Sequence, residues 1–336
     1  MILTPKVRKT LDIVIRLAIA SLSLSYIFYR IYSLPRGQAN IFFESVFNGD
    51  NVIYISTALV FLMIVNWGIE SLKWKLLINQ AEKVSFGISY EAVLGGLAAS
   101  VFTPNRVGEF IGRVFILKKT DPLKAILLTI VGSFSQLLVT IVLGTAAYLF
   151  YAPRYLTGFM YDSTWLVNGF SLTLVILSLT AIFTFFNISV LHRISIVIPE
   201  KYSGRIRSSI DAMADCPKPL LLKTVLLSAL RYLVFSTQFY LAIRLMGLDF
   251  TMFQCMMVIP VIYLVLAAIP TVALAELGVR GSVSVFLFGL LTGSGGLDAE
   301  ATLAVVSAST LIWFINIAVP SLAGVLVVFR LKFFRR

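Results

Sequence analysis

Apolar residues run along this chain in long blocks separated by short polar stretches, with neither strict alternation nor a one-sided helical stripe. Six blocks are long enough to cross a bilayer as helices: residues 11–32, 52–72, 125–150, 165–187, 223–246 and 300–329. Two further apolar stretches are interrupted by proline. In residues 88–117 the break falls at Pro104. Its arms, about 15 and 13 residues, each reach roughly 20 Å, short of the ~30 Å hydrocarbon core. They predict a re-entrant hairpin, which persists at depth only where protein or water surrounds it. In residues 251–292 the break falls at Pro270. Arms of about 19 and 18 residues there fit either a hairpin or two crossings. The longest polar stretch, 188–222, holds Pro199, Gly204, Pro217 and Pro219. Its Arg205–Ala214 part predicts a surface helix.

Composition agrees with this pattern. The 336 residues are 59% hydrophobic and 13% charged, with a mean hydropathy of +0.93. The charged share is about half that of a soluble protein. The fold class is therefore an all-α polytopic membrane protein, with six full spans plus two re-entrant or broken helical hairpins. The whole chain, 1–336, reads as one transmembrane domain.

A net charge of +12 raises the question of nucleic acid. The cations flank apolar spans instead, which fits membrane orientation and anionic headgroups. With the N-terminus in the cytoplasm, 19 of the 28 Lys and Arg fall in cytoplasmic pieces and only Arg36 and Arg154 in outer ones. Both termini are then cytoplasmic. The first apolar run contains Arg16 and continues without a convincing cleavage site, so it reads as an uncleaved span. Trp67, Trp74, Trp165 and Trp313 are expected as interfacial anchors, and Lys73 and Lys75 as the cytoplasmic close of the second span.

The two broken stretches carry the same chemistry. Pro104 is followed by Arg106, Gly108, Glu109 and Arg113; Pro270 is followed by Glu276, Gly278 and Arg280. Trp74 to Glu109 is 35 residues and Tyr240 to Glu276 is 36. This spacing predicts a duplication: repeat 1 over 52–150, a linking span and loop over 151–222, and repeat 2 over 223–336, after a first span and outer loop at 1–51. The charge distribution puts the two hairpins on opposite sides, making the repeats inverted, as in many secondary transporters.

Charge inside an apolar span marks a functional candidate. The lipid-headgroup candidates are Arg106, Glu109, Arg113, Glu276, Arg280 and Arg231, with Pro104, Gly108, Pro270 and Gly278 as helix breaks. Arginine suits phosphate through its planar fork of donors. A helix starting after each proline would add unpaired N–H groups. The competing reading is that Glu109–Arg113 and Glu276–Arg280 are ion pairs that only allow a polar helix to be buried. Asn66, Glu70, Ser133, Ser135, Gln136, Gln238 and Asn316 are expected mainly in helix–helix hydrogen bonds.

Two separated cysteines and one histidine predict no disulfide framework and no metal centre. Neither GxSxG, a P-loop nor HExxH is present, so no catalytic residue and no cofactor is expected.

The segment Gly96 to Arg113, with Pro104, Gly108, Glu109 and Arg113, resembles the Pro-x-x-x-Gly-Glu-x-x-Arg-type segment of the lysylphosphatidylglycerol synthetase/flippase transmembrane-domain family. Pro270 to Arg280 resembles that family's later segment, though Glu276 precedes Arg280 where the family usually places Glu after the Arg. The resemblance implies a flippase-like protein of the bacterial inner membrane that moves an anionic phospholipid or isoprenoid lipid between leaflets. The chain ends seven residues past its last span, so the soluble aminoacyl-transferase domain of some members is not expected. Partners implied are an anionic lipid and, beyond it, a second copy or an envelope-synthesis protein. A membrane scaffold and a lipid-modifying enzyme are the rival classes.

Overall fold

The computed structural model describes residues 44, 46–47, 49, 51–100, 103, 107–117, 119–156, 164–192, 203–269, 273–293 and 296–330. The predicted first span at 11–32 lies outside the described residues, as do Pro104, Arg106 and Pro270. Among the described residues every regular element is helical.

Five long helices are apolar enough to cross a membrane, at the places of the five remaining predicted spans. They are α1 (Val52–Ile78), α4 (Pro122–Tyr151, with a π turn at Ala152–Leu156), α5 (Thr164–Phe186), α7 (Lys218–Leu245) and a last rod. That rod joins α10 (Ala299–Trp313) to α11 (Val319–Arg330) through a π segment, Phe314–Ala318. The surface helix α6 covers Ser203–Ala214.

Local chemistry sets the ends. Asp121 accepts from the backbone N–H of Leu123 and Lys124 and precedes Pro122, which has no N–H to satisfy. Asp298 caps α10 through Ala301 N at 2.7 Å. Gly247 and Gly293 adopt φ of 78° and 69° just past α7 and α9 (Ala273–Leu291), a conformation that favours glycine.

Both broken stretches are helix pairs. α2 (Phe86–Ser100) and α3 (Gly108–Val114) form the first; α8 (Met252–Ala268) and α9 the second. Thr251 opens α8 with a capping box on Gln254. α2 has the predicted 15 residues, but α3 has only seven. α3 ends in a turn in which Leu117 N donates to Val114 O, and beyond it Glu82 Oε2, past the end of α1, accepts from the backbone N–H of Lys119 and Thr120, each at 2.9 Å. A helix this short does not supply the anion-binding N-terminus expected after Pro104.

The helices pack reciprocally. α1 lies along α7, α4 packs on α8, and α11 packs on α2. A glycine permits each of the last two approaches. A Cβ on Gly144 of α4 would stand 2.7 Å from Leu264 Cβ and 3.1 Å from Pro260 O of α8. A Cβ on Gly324 of α11 would strike Leu94 O and stand 3.1 Å from Ala98 Cβ of α2. Leu94 and Pro260 are 166 positions apart; so are Ala98 and Leu264, and so are Trp74 and Tyr240. Each hairpin thus packs on the long span that follows the other hairpin. Outside this frame, α5 turns Trp165, Phe170, Leu172, Leu179 and Phe183 outward, a surface suited to lipid.

Candidate functional site

On α1, Asn66, Glu70 and Lys73 follow one another at spacings of four and three, which puts them on one helix face. All three are buried. A carboxylate there costs much desolvation unless cations surround it. Glu70 has three. Lys73 Nζ lies 2.8 Å from Oε2, Arg113 of α3 3.0 Å from Oε1, and Arg231 of α7 3.2 Å from Oε2. Arg113 also pairs with Glu109, one turn earlier on α3. Lys73 donates to Ser228 Oγ at 3.2 Å, and Ser228 meets Ser135 Oγ at 2.8 Å. Counted as ionised, three cations face two carboxylates in this cluster, an excess of one positive charge.

Arg231 carries that excess to a cavity of about 620 Å³ between the halves. Its Nε donates to Asn66 Oδ1 at 3.0 Å and its guanidinium lies 5.1 Å from the Trp67 ring centroid. Asn66 in turn donates to Asn316 Oδ1 at 2.8 Å. Asn316 sits in the π segment, which breaks the regular helical register where it meets the cavity. Gln136 of α4 accepts from Arg231 at 3.4 Å. Gln136 and Asn316 are 180 positions apart, as Gly144 and Gly324 are; Gln136 meets Arg231 directly and Asn316 meets it through Asn66.

The opposite wall comes from the second hairpin. Glu276 and Arg280 of α9 form an ion pair there, and Arg280 lies 5.4 Å from the centroid of the Tyr263 ring. Leu266, Ala267 and Ala268 of α8 and Ile269 just past it, with Phe235 of α7, supply an apolar side. Trp67 and Trp313 line this cavity, and their indole N–H groups are buried without hydrogen-bond partners among the described residues. The result is two guanidiniums, one carboxylate and three amides around a space that also has a greasy wall. Such a space suits an amphiphile whose polar end is anionic.

The match to known families decides the class. The family described as the lysylphosphatidylglycerol synthase TM region matches residues 13–329. The chain belongs to this family. Neither a curated protein nor a solved structure matches it. The lysylphosphatidylglycerol synthase TM region is a membrane domain tied to lipid metabolism by its name, and the multi-pass helical architecture agrees with it.

In this member of the family, the structure brings Arg231, Glu276 and Arg280 together on one cavity. It places Glu109 and Arg113 behind the cavity wall, joined to it through Glu70. Gly108 is a close-approach position whose N–H donates to Thr103 Oγ1 at 2.8 Å, and Gly278 is buried within α9. Four sequence expectations change. Lys73 is no interfacial flank: α1 continues to Ile78 and buries it, because it is one turn from Glu70. Glu70 is the centre of the network rather than one helix–helix bond among several. Trp67 and Trp74 are buried rather than interfacial, with Trp74 donating to Thr129 Oγ1 at 2.9 Å, and Trp313 lines the cavity; Trp165 alone of the four is exposed. Ser133 is exposed, whereas Gln238 reaches Leu59 O at 3.1 Å as a helix–helix bond.

Proposed function

We propose that this protein moves an anionic lipid between the leaflets of a bacterial cytoplasmic membrane, with both termini in the cytoplasm. The headgroup phosphate sits in the cavity between Arg231 and Arg280, while the acyl or isoprenoid chains stay in the bilayer along the apolar α8 side. Glu276 holds Arg280 until the ligand arrives, and Glu109 and Arg113 anchor the first hairpin. No chemical step is assigned to the protein. The observation that carries this reading is the cavity itself: it lies between the 52–150 and 223–330 stretches, is lined by an arginine from α7 and another from α9, and has an apolar flank. Inverted halves meeting at a central site are the usual build for alternating access. The excess of Lys and Arg in the pieces assigned to the cytoplasm supports the orientation.

Reconstitution into vesicles carrying fluorescent phosphatidylglycerol tests it. Wild type is expected to move the probe between leaflets, and Arg231→Gln/Arg280→Gln to reduce the rate to that of empty vesicles. Equal rates for wild type and the double variant would remove the site, and a chemically altered probe would favour an enzyme.

A further inference from the structure

The two halves hold their equivalent arginines differently. Arg113 and Arg280 each pair with the glutamate one turn earlier. Arg113 also has a second carboxylate, Glu70, at 3.0 Å. The 166-position offset that relates Leu94 to Pro260 carries Glu70 onto Ser236 of α7. Ser236 is 1% exposed and its Oγ has no hydrogen-bond partner among the described residues. Its neighbours on α7, Tyr232, Phe235 and Phe239, pack their rings on Tyr263, the ring that Arg280 also covers. Ser236 thus stands on α7 among the residues whose rings meet Tyr263, at the position that the offset relates to Glu70.

Helix packing differs in the same sense. A Cβ on Gly96 would stand 2.7 Å from Arg113 Cγ, so glycine there lets α3 close down over its arginine. The equivalent position in α8 is Ile262, fully buried. α9 lies less closely along α8 than α3 along α2, and Arg280 remains at the cavity wall.

We infer that Ser236 is the positioning residue that keeps Arg280 available to a phosphate-ester oxyanion, by withholding the second carboxylate that fixes Arg113. Arg280 exchanges part of its contact with Glu276 for the ligand; Arg113, held by two carboxylates, stays structural. Placing a carboxylate at 236 would give Arg280 the partners of Arg113 and close the site. The inference rests on the proposed lipid function only for the carrier of the phosphate.

The test measures binding to the purified full chain in detergent, with phosphatidylglycerol in one arm and glycerol 1-phosphate in the other. Ser236→Glu is compared with Ser236→Gln, which has nearly the same size and no charge. The Glu variant is expected to bind phosphatidylglycerol about tenfold more weakly than the Gln variant or worse, the effect of one charge-assisted contact. Ser236→Glu/Glu276→Gln, with one carboxylate again on Arg280, is expected to recover most of that loss, which a packing defect would not. If Ser236→Glu does not fold, Ser236→Asp takes its place. Equal affinities for the Glu and Gln variants, or no recovery in the double variant, would overturn the role of Ser236 while leaving the lipid reading intact. Wild-type binding of glycerol 1-phosphate without phosphatidylglycerol would overturn the lipid reading, and the Glu-to-Gln ratio for the small phosphate would still decide Ser236. Wild type that binds neither would overturn both.

Discussion

Arg231 lies 3.2 Å from Glu70 and faces the central cavity, so one side chain belongs both to the buried charge cluster and to the wall a ligand would meet. Any anion that attracts Arg231 competes with Glu70. Glu70 remains satisfied in that exchange, because Lys73 and Arg113 stay beside it. The cluster thus gives Arg231 a resting partner without tying it down.

Removing the centre of the cluster should cost more than removing its edge. Glu70→Gln leaves buried Lys73 and Arg113 and half-buried Arg231 with Glu109 as the remaining carboxylate of the cluster, and breaking a buried pair costs about 3–5 kcal/mol. Glu109 is 20% exposed and, among the described residues, pairs with Arg113 alone, so Glu109→Gln should cost clearly less. Thermal unfolding in one detergent checks the order; equal losses would contradict the central place of Glu70.

Charge alone should not replace Arg231. Arg231→Lys keeps the positive charge but loses the Nε bond to Asn66 and the fork that reaches Gln136 and Glu70. A hydrogen bond to a charged group is worth about 1.5–3 kcal/mol, so lipid transport should fall about tenfold or more. Transport at the wild-type rate in Arg231→Lys would assign the arginine a purely electrostatic role.

The reciprocal packing makes matched predictions for distant glycines. Gly144→Val and Gly324→Val each push a branched side chain into the opposite half, at Leu264 and at Leu94. Overpacking of this kind costs about 1–3 kcal/mol, and here it meets backbone. Gly68→Ala on α1 meets nothing within 4 Å and should be close to neutral. Melting temperatures of the three variants decide this directly.

Topology can be read with the native cysteines left in place. Cys216 precedes α7, is buried, and has its thiol pushed up to about 11 by burial and by the neighbouring Asp215. A raised thiol value means little thiolate at pH 7.5, so maleimide labelling should be slow and should speed up as pH rises toward 11. Exposed Lys119→Cys and Glu300→Cys should label quickly, and from opposite sides of the membrane. Same-side labelling would contradict the inverted arrangement.

Much of the frame was legible in the sequence, because long apolar blocks and caps such as Asp121-Pro122 and Thr251 with Gln254 act locally. The motif Glu276–Arg280 was legible for the same reason: its partners are four residues apart. The cluster was not. Glu70 meets Arg113 and Arg231 through tertiary packing, and no local spacing encodes those bonds. A signal did exist in the stripe Asn66, Glu70, Lys73, three polar residues on one face of an apolar helix. Lys73-Trp74-Lys75 obscured it by imitating an interfacial end. The short α3 was hidden too: the chain just beyond it is held by Glu82, in the turn after α1, a contact that no local spacing encodes.

The central claim is that the cavity between Arg231 and Arg280 holds the headgroup of an anionic lipid. A photo-crosslinking residue at Phe235, on the cavity wall, tests it most directly in vesicles of mixed phosphatidylglycerol and phosphatidylcholine, with adducts identified by mass spectrometry. The expected result is adducts dominated by phosphatidylglycerol, falling about tenfold in Arg231→Gln/Arg280→Gln, as loss of charge-assisted contacts requires. Adducts of both lipids in proportion to their abundance, unchanged in the double variant, would contradict it.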